Sequence, residues 1–263
     1  MGVVLEFEVV VSLQCCSNRK LGRCNMFYIE FLEEVHKRLA PELYVEIGVR
    51  NGKSMGRSRC LSYGIDPDYE ITYEMSPHVQ LFKCTSDMFF DRENLTELFC
   101  KRIDLAFIDG MHLFEYVVRD FINIEKWSSH GSVVIVDDVY PRNDAEASRS
   151  VNPISWTGDV WKIIPCLKEY RPDLTLLNVD IEPTGLLVVL GLDADNRILA
   201  QEYELIVERY VGEGKDRVPV EIVNRVGAYK AEDILESGIF EAVAAMRVAK
   251  RRLETGLASL KTT

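Results

Sequence analysis

Leu43-Tyr44-Val45-Glu46-Ile47-Gly48-Val49-Arg50-Asn51-Gly52-Lys53-Ser54 decides the architecture of this 263-residue chain. Leu43 to Ile47 reads as a buried strand, since a short apolar run closed by Pro41 on one side and Gly48 on the other has room for a strand and not for a helix. Gly48 and Gly52 stand just beyond it. Glycines there let the chain turn sharply and bring backbone close to a ligand, and the helical start that follows presents free N–H groups. The pair is not the dinucleotide GxGxxG, because Arg50 and Asn51 occupy the places where a second glycine belongs. A simple turn is the plain alternative.

Outward from this stretch, short apolar runs alternate with longer amphipathic ones. Upstream, Phe27, Ile29, Phe31, Leu32, Val35 and Leu39 fall on helical spacing up to Pro41. Downstream, strands are expected at Ser62 to Ile65, Val79 to Lys83, Ile103 to Ile108 and Ser132 to Val136. A helix over 112–127 carries Phe114, Val117, Val118, Phe121 and Ile122 on one side, with Arg119, Asp120 and Lys126 elsewhere. Strand and helix in this alternation mean crossovers and a mainly parallel sheet covered on both faces. Leu174 to Val179 and Leu186 to Leu190 are then separated by only six residues, so they pair antiparallel. From about Ile198 the chain is charged and helix-like, strongest over Ile222 to Val226 and Ala231 to Leu253. The apolar character of the last segment lets it either pack back on the sheet or form a homo-oligomer interface.

Composition narrows the function classes. The formal net charge is −11, with 31 Lys and Arg against 42 Asp and Glu. That balance disfavours a nucleic-acid or anionic-membrane partner and favours a small-molecule one. No apolar run is long enough to span a bilayer. Gly2 to Cys16 is apolar, but Glu6 and Glu8 interrupt it and no Lys or Arg precedes it, so it does not read as an export signal. Residues 1–25 read instead as an extension ahead of a domain pattern that begins at Met26. Seven cysteines (15, 16, 24, 60, 84, 100 and 166) show no CxxC or zinc spacing and read as reduced thiols of a cytoplasmic protein.

In an open parallel sheet, ligands gather at the carboxyl ends of the strands. Asp66 ends the second strand, 18 residues beyond Gly48, where α/β folds grip ribose hydroxyls. Thr85-Ser86-Asp87 follows the third, able to meet an adenine edge or to cap the next helix. Asp109 ends the fourth strand in Phe107-Ile108-Asp109-Gly110-Met111-His112, and Val136-Asp137-Asp138 ends the fifth. Together with Glu46-x-Gly48-x-x-x-Gly52 and Asp66, these residues resemble the class I S-adenosylmethionine-dependent methyltransferases, and more narrowly the metal-dependent O-methyltransferases of the macrolide-sugar type. The resemblance spans roughly Met26 to Asp193. It implies an α/β, Rossmann-like fold whose mostly parallel seven-stranded sheet ends in an antiparallel hairpin, with helices on both faces. Residues 26–195 would form the cofactor-binding domain and 196–263 a C-terminal helical segment. Glu46, Gly48 and Gly52, with Ser54, would shape the methionine end of the S-adenosyl-L-methionine pocket, Asp66 would hold the ribose, and Ser86 and Asp109 would complete the cofactor contacts.

Adjacent strands lie about 4.8 Å apart, so Asp109, Asp137 and Asp138 converge, and their like charges call for a cation. Mg²⁺ accepts oxygen ligands of this kind, and bound to a substrate hydroxyl it would lower that hydroxyl's pKa. Asp137 and Asp138 can share an ion only if the strand has already turned, because successive side chains face opposite ways. His112, three residues beyond Asp109, is the expected general base. A helix cap at Asp109, a packing role for His112 and a solvated loop at Asp137-Asp138 are the plain alternatives. Between the fifth and sixth strands, the polar stretch Pro141 to Ser155 reads as a mobile substrate-covering loop, followed by Trp156 and Trp161, the latter more in keeping with a core residue. The reading is O-methylation of a small-molecule hydroxyl. Two rivals remain: iron held by the aspartates and histidine for hydroxylase chemistry, and a non-catalytic cofactor-binding partner subunit.

Overall fold

The computed structural model describes residues 26–92, 94–212 and 214–261; the expected N-terminal extension and Cys15, Cys16 and Cys24 lie outside these. Helix α1 (Tyr28–Leu39) precedes β1 (Leu43–Ile47). The chain then runs through β2 (Leu61–Ile65), β3 (Val79–Phe82), the short helices α2 (Ser86–Phe90) and α3 (Leu95–Leu98), β4 (Leu105–Ile108), α4 (Phe114–Lys126) and β5 (Val133–Asp137). Helix α5 (Ile163–Tyr170) leads into the hairpin β6 (Thr175–Asp180) and β7 (Leu186–Leu190). Six further elements close the described chain: α6 (Ile198–Gln201), α7 (Tyr203–Tyr210), α8 (Val220–Val223), β8 (Tyr229–Lys230), α9 (Ala231–Glu236) and α10 (Ile239–Lys261). Among the described residues no helix is long and apolar enough to cross a membrane.

The strands form one sheet in the order β3-β2-β1-β4-β5-β7-β6-β8. β1 to β5 are mutually parallel, and β7 runs antiparallel to both β5 and β6. This is a Rossmann-like, mostly parallel sheet with an antiparallel hairpin, as expected, with one departure from the expected seven strands. The eighth, β8, adds parallel to β6 through Val179↔Tyr229 and Asp180↔Lys230. Two exposed residues carry no alternation that a sequence pattern could register. The expected helix over Ala231 to Leu253 is likewise two helices, broken at Gly238, whose φ of 74° a helix does not accept.

Alternation along the central strands divides the core. Val45, Ile47, Ala106, Ile108, Val134 and Val136 face α4 and α5, whereas Tyr44, Leu105, Phe107, Val133 and Ile135 face α1, α9 and α10. Because β1, β4 and β5 are covered on both sides, every residue in them is buried, including Glu46 and Asp137. The terminal helices therefore pack back on the sheet: Phe240 meets Phe31 edge-on at 6.0 Å, and Arg247 donates to the carbonyls of Leu39 and Ala40 at 2.7 and 2.9 Å.

Candidate active site

The turn after β1 is built as its glycines demand. Gly48 has φ 89°, and a Cβ on it would lie 1.9 Å from the carbonyl oxygen of Asp109, so β1 and β4 touch through backbone at this point. Arg50 follows at φ 52° and Gly52 at φ 84°. The Arg50 N–H donates to one oxygen of Asp66 at 2.7 Å and the Asp68 N–H to the other, also at 2.7 Å. Asp66 thus ties the end of β2 to the glycine turn, and each of its oxygens retains a lone pair for a ligand. Beneath the turn, Glu46 is fully buried and accepts from the Tyr44 hydroxyl at 2.6 Å and the Ser54 hydroxyl at 2.5 Å. Burial outweighs these bonds and pushes its carboxyl up to about 8, so it is largely protonated at neutral pH.

One strand further on, His112 sits between two carboxylates. Its Nε2 lies 3.2 Å from Asp109 Oδ1 and its Nδ1 lies 3.0 Å from Asp138 Oδ2, with the Trp156 carbonyl also 3.0 Å from Nδ1. The Trp156 indole stacks on the imidazole at 5.2 Å between centroids. His112 and Asp138 have φ of 56° and 63°, so two non-glycine residues at neighbouring strand ends are held left-handed, a costly conformation that the surroundings impose. At Asp138 the chain has indeed turned. Asp137, still in β5, faces the α1 side in step with Val133 and Ile135, where its Oδ1 accepts from the Asp138 N–H at 2.7 Å and the Thr184 hydroxyl at 3.4 Å. The donor atoms brought within 4.8 Å of one another are therefore those of Asp109, His112 and Asp138, and Asp137 is not among them. Two carboxylate oxygens and an imidazole nitrogen are a donor set that suits a divalent cation.

The electrostatics shape what His112 can do. Burial alone would lower its pKa, but Asp109 and Asp138 outweigh burial and hold it at about 11. The ring is then an imidazolium at neutral pH, which balances the carboxylates and cannot accept a proton until another cation takes over that task. Burial raises Asp109, against the pull of His112, and raises Asp137 well above the ordinary carboxylate range, with Asp138 and Asp109 adding to it.

Other residues enter that the sequence patterns did not single out. Tyr28, at the start of α1, stacks on Phe107 at 6.3 Å, and burial together with Asp109, Asp137, Glu46 and Asp138 pushes its phenol upward. Its position depends on α1 folding over the sheet, which no local motif encodes. Asp120, on what reads as the polar side of α4, is buried at 2% exposure; burial raises it to about 7, and its hydrogen-bond partner is the Ser86 side chain. Ser86 thus turns toward α4, and Thr85 caps α2 by accepting from the Met88 N–H at 3.2 Å. The stretch 141–155 is pinned, not loose: Arg142 pairs with Glu146 at 2.6 Å, and Arg149 bridges Glu115 at 2.6 Å and buried Asp159 at 2.7 Å. Trp161 is a core residue with Ala147 and Val218.

Residues 45–139 match a family model described as a methyltransferase domain, a span that contains Glu46, Gly48, Gly52, Asp66, Asp109, His112 and Asp138. No curated protein matches the sequence. Similar solved structures include the O-methyltransferase from Bacillus cereus in complex with S-adenosylhomocysteine, at 16% identity and TM-score 0.45, covering 64% of this chain and 84% of that one. TomG from Streptomyces achromogenes, an O-methyltransferase involved in tomaymycin synthesis and solved with S-adenosylmethionine, is 17% identical with TM-score 0.45, covering 62% and 79%. The S-adenosylhomocysteine-bound methyltransferase PaMTH1 of Podospora anserina is 13% identical with TM-score 0.45, covering 63% and 78%. Over residues 45–139, within a sheet of the class I order, the chain is similar to methyltransferase domains.

Proposed function

We propose that this protein is an S-adenosylmethionine-dependent methyltransferase acting on a hydroxyl of a small molecule. The observation that carries the reading is the meeting, at the carboxyl ends of β1, β2, β4 and β5, of the Gly48 turn, Asp66 and the Asp109–His112–Asp138 cluster within the stretch that matches methyltransferase domains. Asp66, with a free lone pair on each oxygen, suits a ribose diol. Glu46 and Ser54 would shape the methionine end from below, and the Gly48 and Gly52 backbone would leave room for the ligand. Bound there, the sulfonium supplies an electrophilic methyl group. The chain's own part is to orient the acceptor oxygen in line with it and to deal with the hydroxyl proton.

Asp109 and Asp138, with His112, would hold a divalent cation such as Mg²⁺, whose charge would make an acceptor hydroxyl more acidic. Trp156, already flat against His112, closes one side of the acceptor space and keeps water from it. A metal-free variant of the same reading is favoured by one observation: His112 already bridges both carboxylates as an internal cation. In that variant Asp109 or Asp138, and not His112, would take the proton.

Isothermal titration with S-adenosylmethionine and S-adenosylhomocysteine, with and without Mg²⁺, on the parent protein and Asp66→Ala, tests the proposal. Micromolar binding that weakens at least about tenfold in the variant is expected, one lost charge-assisted contact pair being worth that much. No binding in any condition would sink the reading. With binding established, turnover that persists after chelation would select the metal-free variant.

A further inference from the structure

The β1–β2 connection has to cross from the carboxyl end of one strand to the amino end of its parallel neighbour, and it does so in the thirteen residues 48–60 around a single turn at Met55–Arg57. From residue 47 to residue 65 the sequence holds Arg50, Lys53, Arg57 and Arg59 and not one Asp or Glu, in a chain whose net charge is −11. The fold places three of these cations along two adjoining cavities. One, of about 300 Å³, lies at the amino ends of β1 and β2, where Arg57 and Arg59 face Lys37 and His36 of α1. The other, of about 480 Å³, shares Arg57 and Arg59 with the first and reaches Lys53, Tyr73 and Glu74.

The charges in the first cavity do not cancel. Glu33 serves both Lys37, at 3.0 Å, and Arg57, at 3.2 Å, and Glu34 also pairs with Lys37, at 2.9 Å, which leaves two carboxylates against Lys37, Arg57 and Arg59. Arg59 spends Nη1 on the carbonyls of Gly56 and Ser58, at 3.0 and 2.9 Å, which fixes its guanidinium at the junction of the cavities, and it has no carboxylate partner among the described residues. His36 lines the same cavity at 7% exposure, and its Nε2 has no hydrogen-bond partner among the described residues. A buried donor or acceptor of this kind carries a desolvation penalty unless a ligand meets it. Its ring is neutral, burial and then Arg59 having lowered it to about 4.

We infer that these two cavities form a second ligand site, for a small phosphorylated molecule, in which Arg57, Arg59 and Lys37 receive the anionic group at their junction and His36 lines its floor. Guanidinium forks match phosphate oxygens in pairs, and a concave basic site in an otherwise acidic protein focuses a small anion where a nucleic acid would be repelled. The site lies on the crossover and at the amino ends of the strands and uses neither Asp66 nor the Asp109 cluster, while its second cavity borders the glycine turn at Lys53 and Met75.

Isothermal titration of the whole protein with inorganic pyrophosphate, beside inorganic phosphate, tests it. Saturable binding of one pyrophosphate, weakened at least about tenfold in Arg59→Gln and unchanged in Asp66→Ala, is expected. Absence of saturable binding overturns the inference, as does binding indifferent to Arg59→Gln or lost in Asp66→Ala, which would put the anion at the glycine turn. A thermal unfolding curve accompanies each variant. Arg59→Gln breaks no ion pair among the described residues, so its binding result is read on a folded protein.

Discussion

At Gly48 a methyl group would have to occupy a point 1.9 Å from the Asp109 carbonyl oxygen at a backbone φ of 89°. Gly48→Ala is therefore expected to cost about 3 kcal/mol or more in stability and to abolish S-adenosylmethionine binding, as thermal unfolding and calorimetric titration would register. A foldable variant that still binds would show that the turn tolerates displacement. Asp120 makes a prediction of opposite sign. Its carboxyl titrates at about 7 in the fold against 3.8 unfolded, and its Oδ1 has no hydrogen-bond partner among the described residues. A raised carboxylate favours the folded state below the unfolded value and loses that advantage as pH rises through the folded one. Asp120→Asn, which keeps a partner for Ser86, should leave stability unchanged below pH ~4 and raise it above pH ~7, by up to about 4 kcal/mol. Chemical denaturation across that range checks it, and a flat difference would mean that Asp120 is ionised in the fold. Gly48, Asp66, Asp109 and His112 were legible in the sequence because each belongs to a short motif at a strand end. Asp120 and Tyr28 were not, since their burial comes from elements distant in sequence.

Helix α4 and the segment before α5 are joined by charges and not by apolar packing alone. Asp159 is fully buried, accepts from the Phe114 N–H at 2.8 Å at the start of α4, and pairs with Arg149 and with buried Lys162 at 2.8 Å. Gly158, at φ 56°, seats the chain directly on the His112 carbonyl, so this network also sets where Trp156 lies against the imidazole. Arg149→Ala should free residues 141–155, exposing them to limited proteolysis and costing about 1–3 kcal/mol, because one partner of a buried charge is lost. Cleavage no faster than in the parent protein would show that Arg142 and Glu146 suffice. Composition alone made this stretch read as mobile. Polar residues look solvated until the fold supplies opposite charges to meet them, here Glu115 from α4 for Arg149.

Across the whole molecule, the segments after β7 share the core of the sheet. Ala231, Ile234, Leu235, Phe240 and Val243 are buried with α1 and the inner strands, and β8 extends the sheet's edge. Phe240→Ala should then lower stability by about 3–5 kcal/mol and shift the entire unfolding transition, whereas a separate early transition would mark an independent C-terminal unit. Fold class was fixed by the sequence itself: the spacing of apolar runs sets strand and helix, long connections force parallel pairing and the six-residue link forces the hairpin. The glycine turn, Asp66, Asp109 and His112 were set there too, because position after a strand is a local property. Tertiary structure decided what local pattern cannot carry: that Asp138 and not Asp137 joins Asp109 and His112, that two exposed residues make an eighth strand, and that His112 is held as a cation. Each depends on which way a side chain points and which charges lie across a gap, and those follow from how distant segments pack, not from their order along the chain.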